Sequence, residues 1–321
     1  MSKISYYRMA VLAFICAGAV SCQTMTEEVP VNSMSEAENE LAVSEDENAR
    51  KGNIKEFGAF LTGTEEVPAV MAPGSGAASF KVMDGGNSLE FELRVANTTG
   101  IIFAHLHQEI AGVNGPVVVT LIPAQSASGL ENGVVASGII TKGNLSGPLQ
   151  DAEFSSLLNA MKNGQIYVNI HTDNNRGGEL RGQVSMVEPN FNKNSLVKLS
   201  GSNEVPAAMT NATGIAKFQV NKDGAGIDFQ VNVAGISNVR FAHIHFAKPG
   251  VNGPVVFTLR GDKVLGPVSG VYAKGTITDS MFSGNLAGGD LVILREAMRT
   301  GNAYVNVHSD NFPGGELRGN F

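Results

Sequence analysis

Short runs of alternating apolar and polar residues recur along most of the chain. The plainest is Leu89-Glu90-Phe91-Glu92-Leu93-Arg94-Val95, whose four apolar side chains face one way on a strand. Ile227-Asp228-Phe229-Gln230-Val231-Asn232-Val233 repeats the pattern. In the earlier half, strands are predicted near 56–62, 77–83, 88–95, 101–107, 116–121, 134–140, 165–171 and 179–186. Turn sequences such as Asp84-Gly85-Gly86-Asn87 and Lys222-Asp223-Gly224-Ala225 separate them. One segment changes period. From Asp151 to Gly164, the residues Phe154, Leu157, Leu158 and Met161 follow helical spacing, with acids at the start and Lys162 near the end. Residues 289–301 form its second copy. Eight short strands and one helix in roughly 130 residues predict an all-β protein of two tandem Greek-key-like β-sandwich domains, each with one short helix.

The duplication is explicit in the sequence. Gly63-Thr64-Glu65-Glu66-Val67-Pro68-Ala69 returns as Gly201-Ser202-Asn203-Glu204-Val205-Pro206-Ala207. Gly112-Val113-Asn114-Gly115-Pro116-Val117-Val118 returns as Gly250-Val251-Asn252-Gly253-Pro254-Val255-Val256, again 138 residues on. The offset is 137 at Gly178-Glu179-Leu180-Arg181-Gly182 and Gly315-Glu316-Leu317-Arg318-Gly319. One net deletion in so long a match means two copies of one domain, and so long a period excludes a solenoid. The domains are expected over 53–188 and 194–321. The last strand of the second should be the shorter, since the sequence stops at Phe321.

Charge changes the picture only at the front. The chain of 321 residues carries a formal net charge of −7. Glu27, Glu28, Glu36, Glu38, Glu40, Glu45, Asp46 and Glu47 face one base, Arg50, between positions 23 and 50. That stretch lacks apolar periodicity and reads as a solvated tether over 23–52. The remaining body is nearly neutral, so nucleic acid is not an expected partner. Met1–Arg8 is a basic head, followed by an apolar run over Met9–Val20 that is too short to span a bilayer as a helix. Ala19-Val20-Ser21-Cys22 resembles the cleavage box of bacterial lipoproteins. The expectation is a signal peptide over 1–22 and lipidation of Cys22. Glu27-Glu28 resembles the export signals of some bacterial surface lipoproteins. Together these place the protein extracytoplasmically at a bacterial envelope, lipid-anchored, at the outer rather than the inner membrane. Both cysteines, Cys16 and Cys22, precede the folded body, which therefore has neither disulfide nor thiolate metal site.

The ordered set of Glu-Val-Pro, Ala-His-[Leu/Ile]-His, Gly-Val-Asn-Gly-Pro-Val-Val, Tyr-Val-Asn-[Ile/Val]-His and Gly-Gly-Glu-Leu-Arg-Gly resembles the CHRD (chordin) domain, twice over. The resemblance covers about 54–187 and 195–321. It implies a secreted module; animal chordin is similar to extracellular antagonists that sequester growth factors, while the bacterial branch suggests no assigned reaction.

All six histidines lie in these blocks: His105, His107 and His171, then His243, His245 and His308. Residues i and i+2 of a strand share a face, so His105 and His107 point together, as do Tyr167, Asn169 and His171. If the two strands are neighbours, three imidazoles converge, and three His with an open position suit zinc or copper. Asp173, Glu179, Asp310 and Glu316 are candidates for a fourth ligand or for an outer acceptor that fixes a ring tautomer. The competing expectation is that the rings brace loop backbone or contact the Glu and Arg of the last block. Glu179 and Arg181 are expected to pair across strands. No catalytic set accompanies the histidines, and no Gly-x-Ser-x-Gly elbow is present. The leading expectation is thus a non-enzymatic binding module, held at the membrane through Cys22 and engaging a protein or glycan. The alternatives are a copper or zinc protein, redox or hydrolytic, and a structural envelope component.

Overall fold

The computed structural model describes residues 56–187 and 194–321. The expected signal peptide, Cys22, the acidic tether and most of the link between domains lie outside the described residues. The fold is mostly β with two short helices, in two β regions.

The first region contains β1 (Glu56–Leu61), β2 (Ser75–Met83), β3 (Ser88–Thr99), β4 (Ile101–Gln108), β5 (Val117–Ile122), β6 (Leu130–Thr141), α1 (Phe154–Lys162), β7 (Ile166–Thr172), β8 (Leu180–Gln183) and β9 (Ser185–Met186). Five strands form one sheet in the order β6-β3-β2-β1-β9, and four form the other in the order β5-β4-β7-β8. The alternating residues Leu89, Leu93 and Val95 are fully buried between the sheets. Burial of each such side chain contributes about 1.5–3 kcal/mol relative to exposure. The apolar stripe Phe154, Leu157, Leu158 and Met161 of α1 joins the same core. The helix begins after the predicted Asp151, because Asp151 sits at φ +62°. That left-handed conformation cannot start a right-handed helix.

The second region contains β10 (Asn194–Ser200), β11 (Thr213–Val220), β12 (Ile227–Phe246), β13 (Val255–Arg260), β14 (Val264–Ile277), α2 (Leu291–Arg299), β15 (Ala303–Ser309) and β16 (Leu317–Asn320). Here β12 is a single 20-residue strand where the first region has β3 and β4. Its first half pairs with β11 and β14, its second with β13 and β15. Because β10 also pairs with β16, the sheet closes into a barrel. The first region makes the equivalent closing contact as an isolated bridge, Thr62 to Arg181, where Ser200 meets Arg318 in the second. The two differ in continuity, not in plan. Even the kinks correspond. Asn97 (φ +50°) and Gly100 (φ +78°) bend the first copy, and Gly235 (φ +69°) and Asn238 (φ +51°) stand 138 residues on. Contrary to expectation, the strand β16 is not shorter than its counterpart, since β8 and β16 each span four residues.

The described residues form one compact unit. Arg299 of α2 donates to the carbonyls of Met186 and Gly58 and to the Ser185 hydroxyl. Asn285 donates to Ala72 O and accepts from the Ser75 hydroxyl at its own carbonyl. Arg94 of β3 pairs with Asp290, the residue that caps α2. Phe60 packs edge-on against Phe246 at 4.9 Å, so the second core reaches into the first region.

Candidate metal centre

The central pair is β4 with β7. Their antiparallel register sets Phe103 opposite His171, His105 opposite Asn169 and His107 opposite Tyr167. On the far side of β7, Asn169 lies opposite Arg181 of β8. Side chains of directly opposed residues share a face. One face of the sheet therefore carries Phe103, His105, His107, Tyr167, Asn169, His171 and Arg181.

The three imidazoles converge. Ring centroids are 5.7 Å apart for His105 and His107, 5.5 Å for His105 and His171, and 5.9 Å for His107 and His171. In the second domain the distances are 5.6, 5.3 and 6.1 Å for His243–His245, His243–His308 and His245–His308. In each trio one nitrogen per ring lies within 4.8 Å of those of the other two.

Which nitrogens these are follows from the hydrogen bonds. His107 Nδ1 is 2.9 Å from Gly115 O, and His171 Nδ1 is 2.9 Å from Arg176 O. A carbonyl only accepts, so each Nδ1 carries the proton and each Nε2 keeps a free lone pair. The buried nitrogens without a partner are His105 Nδ1, His107 Nε2 and His171 Nε2. The second domain repeats this. His245 Nδ1 donates to Gly253 O and His308 Nδ1 to Pro313 O, leaving His243 Nδ1, His245 Nε2 and His308 Nε2 without partners. The two expectations for the histidines are thus compatible, because one nitrogen braces a loop and the other faces its neighbours.

Burial keeps the rings neutral. It pushes His171, His243 and His245 down to about 4, and lowers His105, His107 and His308 as well. An imidazole must be neutral to ligate.

Asp173, Glu179, Asp310 and Glu316 are not brought into either trio. Glu179 accepts from the Thr172 hydroxyl and from Asn175, Glu316 accepts from Thr210, and Asp310 pairs with Lys263. The tautomer-fixing acceptors are backbone carbonyls. The expected Glu179–Arg181 pair does not form either. Arg181 is 2% exposed, and its guanidinium lies 3.6 Å over the Tyr167 ring and donates to Asn114 Oδ1 and Val113 O. Arg318 repeats this over Tyr304, with Asn252 and Val251. A planar fork suits this role, since it stacks and donates at once. Tyr167 in turn stacks on His107 at 4.9 Å and 10°. Its hydroxyl accepts from Gly115 N–H. Asn114 donates to Val67 O of the Glu-Val-Pro block. All five repeated blocks therefore meet at one place.

Sequence reasoning missed a buried pair beside it. Asn169 donates to Glu66 Oε2 at 3.4 Å, as Asn306 does to Glu204. Burial pushes both carboxyls up to about 7. Glu66 Oε1 and Asn169 Oδ1 are buried acceptors without partners, and so are Glu204 Oε1 and Asn306 Oδ1. Both oxygens of the first pair lie 2.6 Å from where a Cβ on Gly178 would sit. A protonated Glu66 can donate as well as accept. The available signal was the shared face of Asn169 and His171 together with the repeated Glu of the Glu-Val-Pro block.

The fold and these centres define a tandem β protein with one three-histidine cluster per domain. The CHRD domain profile matches residues 57–184 and 196–321, so the chain belongs to the CHRD domain family. A search of curated proteins found no match to the chain.

Proposed function

We propose that each domain binds one transition-metal ion, copper or zinc, through His105 Nδ1, His107 Nε2 and His171 Nε2, and through His243 Nδ1, His245 Nε2 and His308 Nε2. The observation that carries this is the convergence, in both copies, of three neutral imidazole nitrogens without partners. All-nitrogen donors suit copper and zinc, whereas calcium and magnesium need oxygen ligands. Three ligands leave a coordination position for an exogenous group. The backbone carbonyls bonded to Nδ1 of His107, His171, His245 and His308 would orient the rings. Binding a protein or glycan is supported by the lipoprotein-like N-terminus, the acidic tether and the duplication, whereas the metal reading is supported by the converging imidazoles. The lipoprotein-like N-terminus supports an extracytoplasmic, membrane-tethered setting for it.

The test is metal analysis of untagged full-length protein after exposure to copper or zinc. Two equivalents are expected, falling to one in His105→Ala or in His243→Ala and to none in the double variant. No metal uptake, with melting unchanged by either ion, would overturn the proposal.

A further inference from the structure

The two centres are not equal. Ile102, buried in the first domain, corresponds to Arg240 in the second, 138 residues on. Both positions sit where the strand register shifts, between Ile101 and Phe103 and between Val239 and Phe241. Such bulges re-aim a side chain. The Arg240 guanidinium lies 5.7 Å from the centroid of the Phe241 ring. That ring packs against His243 at 4.8 Å and His308 at 4.6 Å. Among the described residues Arg240 makes no ion pair or side-chain hydrogen bond. Asp310, two residues beyond His308, is engaged by Lys263 at 2.6 Å.

A divalent ion on three neutral imidazoles keeps its full charge. In the second domain a guanidinium without a carboxylate partner among the described residues lies by the Phe241 ring that packs on two of these imidazoles. An anion on the open metal position lies in the field of both charges and relieves them. We infer that the second-domain centre, built on the metal reading above, is a site for a small inorganic anion, with Arg240 as its specificity-determining residue, and that the first-domain centre binds the same anion more weakly.

Azide serves as the probe. Full-length protein carrying His105→Ala keeps only the second centre, and His243→Ala keeps only the first. Each is loaded with copper(II) and titrated with azide, followed by the azide-to-copper charge-transfer absorbance. The second centre should bind azide roughly three- to tenfold more tightly, the effect of one nearby unpaired charge. Adding Arg240→Gln should remove that preference while one equivalent of copper stays bound. Equal azide affinities at the two centres, or a preference that survives Arg240→Gln, would overturn the inference and leave the metal reading standing. Failure of both single-centre proteins to take up copper or zinc would overturn the metal reading and this inference with it.

Discussion

At the scale of single residues, each domain sets two kinds of titratable group against each other. Six imidazoles are held neutral and two carboxyls are pushed up to about 7. Unfolded imidazoles take up protons near 6.5, while folded His171, His243 and His245 resist down to about 4. The metal-free protein should therefore lose stability as pH falls from about 6.5 to about 4, by several kcal/mol in all. Thermal melts across that range check it, and bound metal should move the loss to lower pH. Glu66 and Glu204 act with the opposite sign. Unfolded, they release their protons near 4.5; folded, near 7. Their contribution is complete below about 4.5 and is lost as pH rises through about 7. Glu66→Gln with Glu204→Gln should keep the fold, since an amide can donate to Asn169 and Asn306. Above pH 6.5, where the imidazoles no longer contribute, the melting temperature should be level up to pH 8 in the double variant, whereas the protein with both glutamates declines there on account of this pair. An unchanged pH profile in the double variant would refute the upward push on these two carboxyls.

At the scale of elements, the strands were legible because alternation exposes one buried face, as in residues 89–95 and 227–233. The facing histidines were legible for the same reason, given that β4 and β7 are neighbours. What stayed hidden depended on atoms far apart in the chain. Arg181 reads as a surface partner for Glu179 until the Gly-Val-Asn-Gly loop and Tyr167 are seen closing over it. Glu66 is only one acid of a repeated block until Asn169 is seen donating to it. The helices differ in a way their apolar stripes do not reveal. The Asp290 side chain accepts from Val292 and Ile293 N–H at the start of α2, whereas Glu153 makes no such bond at α1. Asp290→Ala should cost about 1–2 kcal/mol from the lost cap, plus the pairing with Arg94. Glu153→Ala should cost only a few tenths by chemical denaturation.

At the scale of the whole molecule, α2 is the joint. The guanidinium of Arg299 holds three groups of the first domain from a helix of the second, and it is nearly buried. The described body should unfold in one calorimetric transition, and loading either centre should raise it as a unit. Arg299→Ala leaves two buried carbonyls and the Glu296 carboxylate without their donor. The expected result is two resolved transitions, with metal at one centre then shifting only its own. A single transition retained in Arg299→Ala would place the coupling elsewhere along the interface.

The paired kinks in β3–β4 and β12 carry a lesson about descent. At one position Asn97 answers to Gly235, and three residues on Gly100 answers to Asn238. The two copies have traded residues while keeping the same left-handed backbone at both places. What has been inherited there is a dihedral angle rather than an amino acid. Gly235→Asn, where an added Cβ meets nothing closer than 3.7 Å, should be close to silent, whereas a β-branched residue there should not. Sequence comparisons that score the two as one interchangeable class would align such duplicated halves where identity alone marks a mismatch.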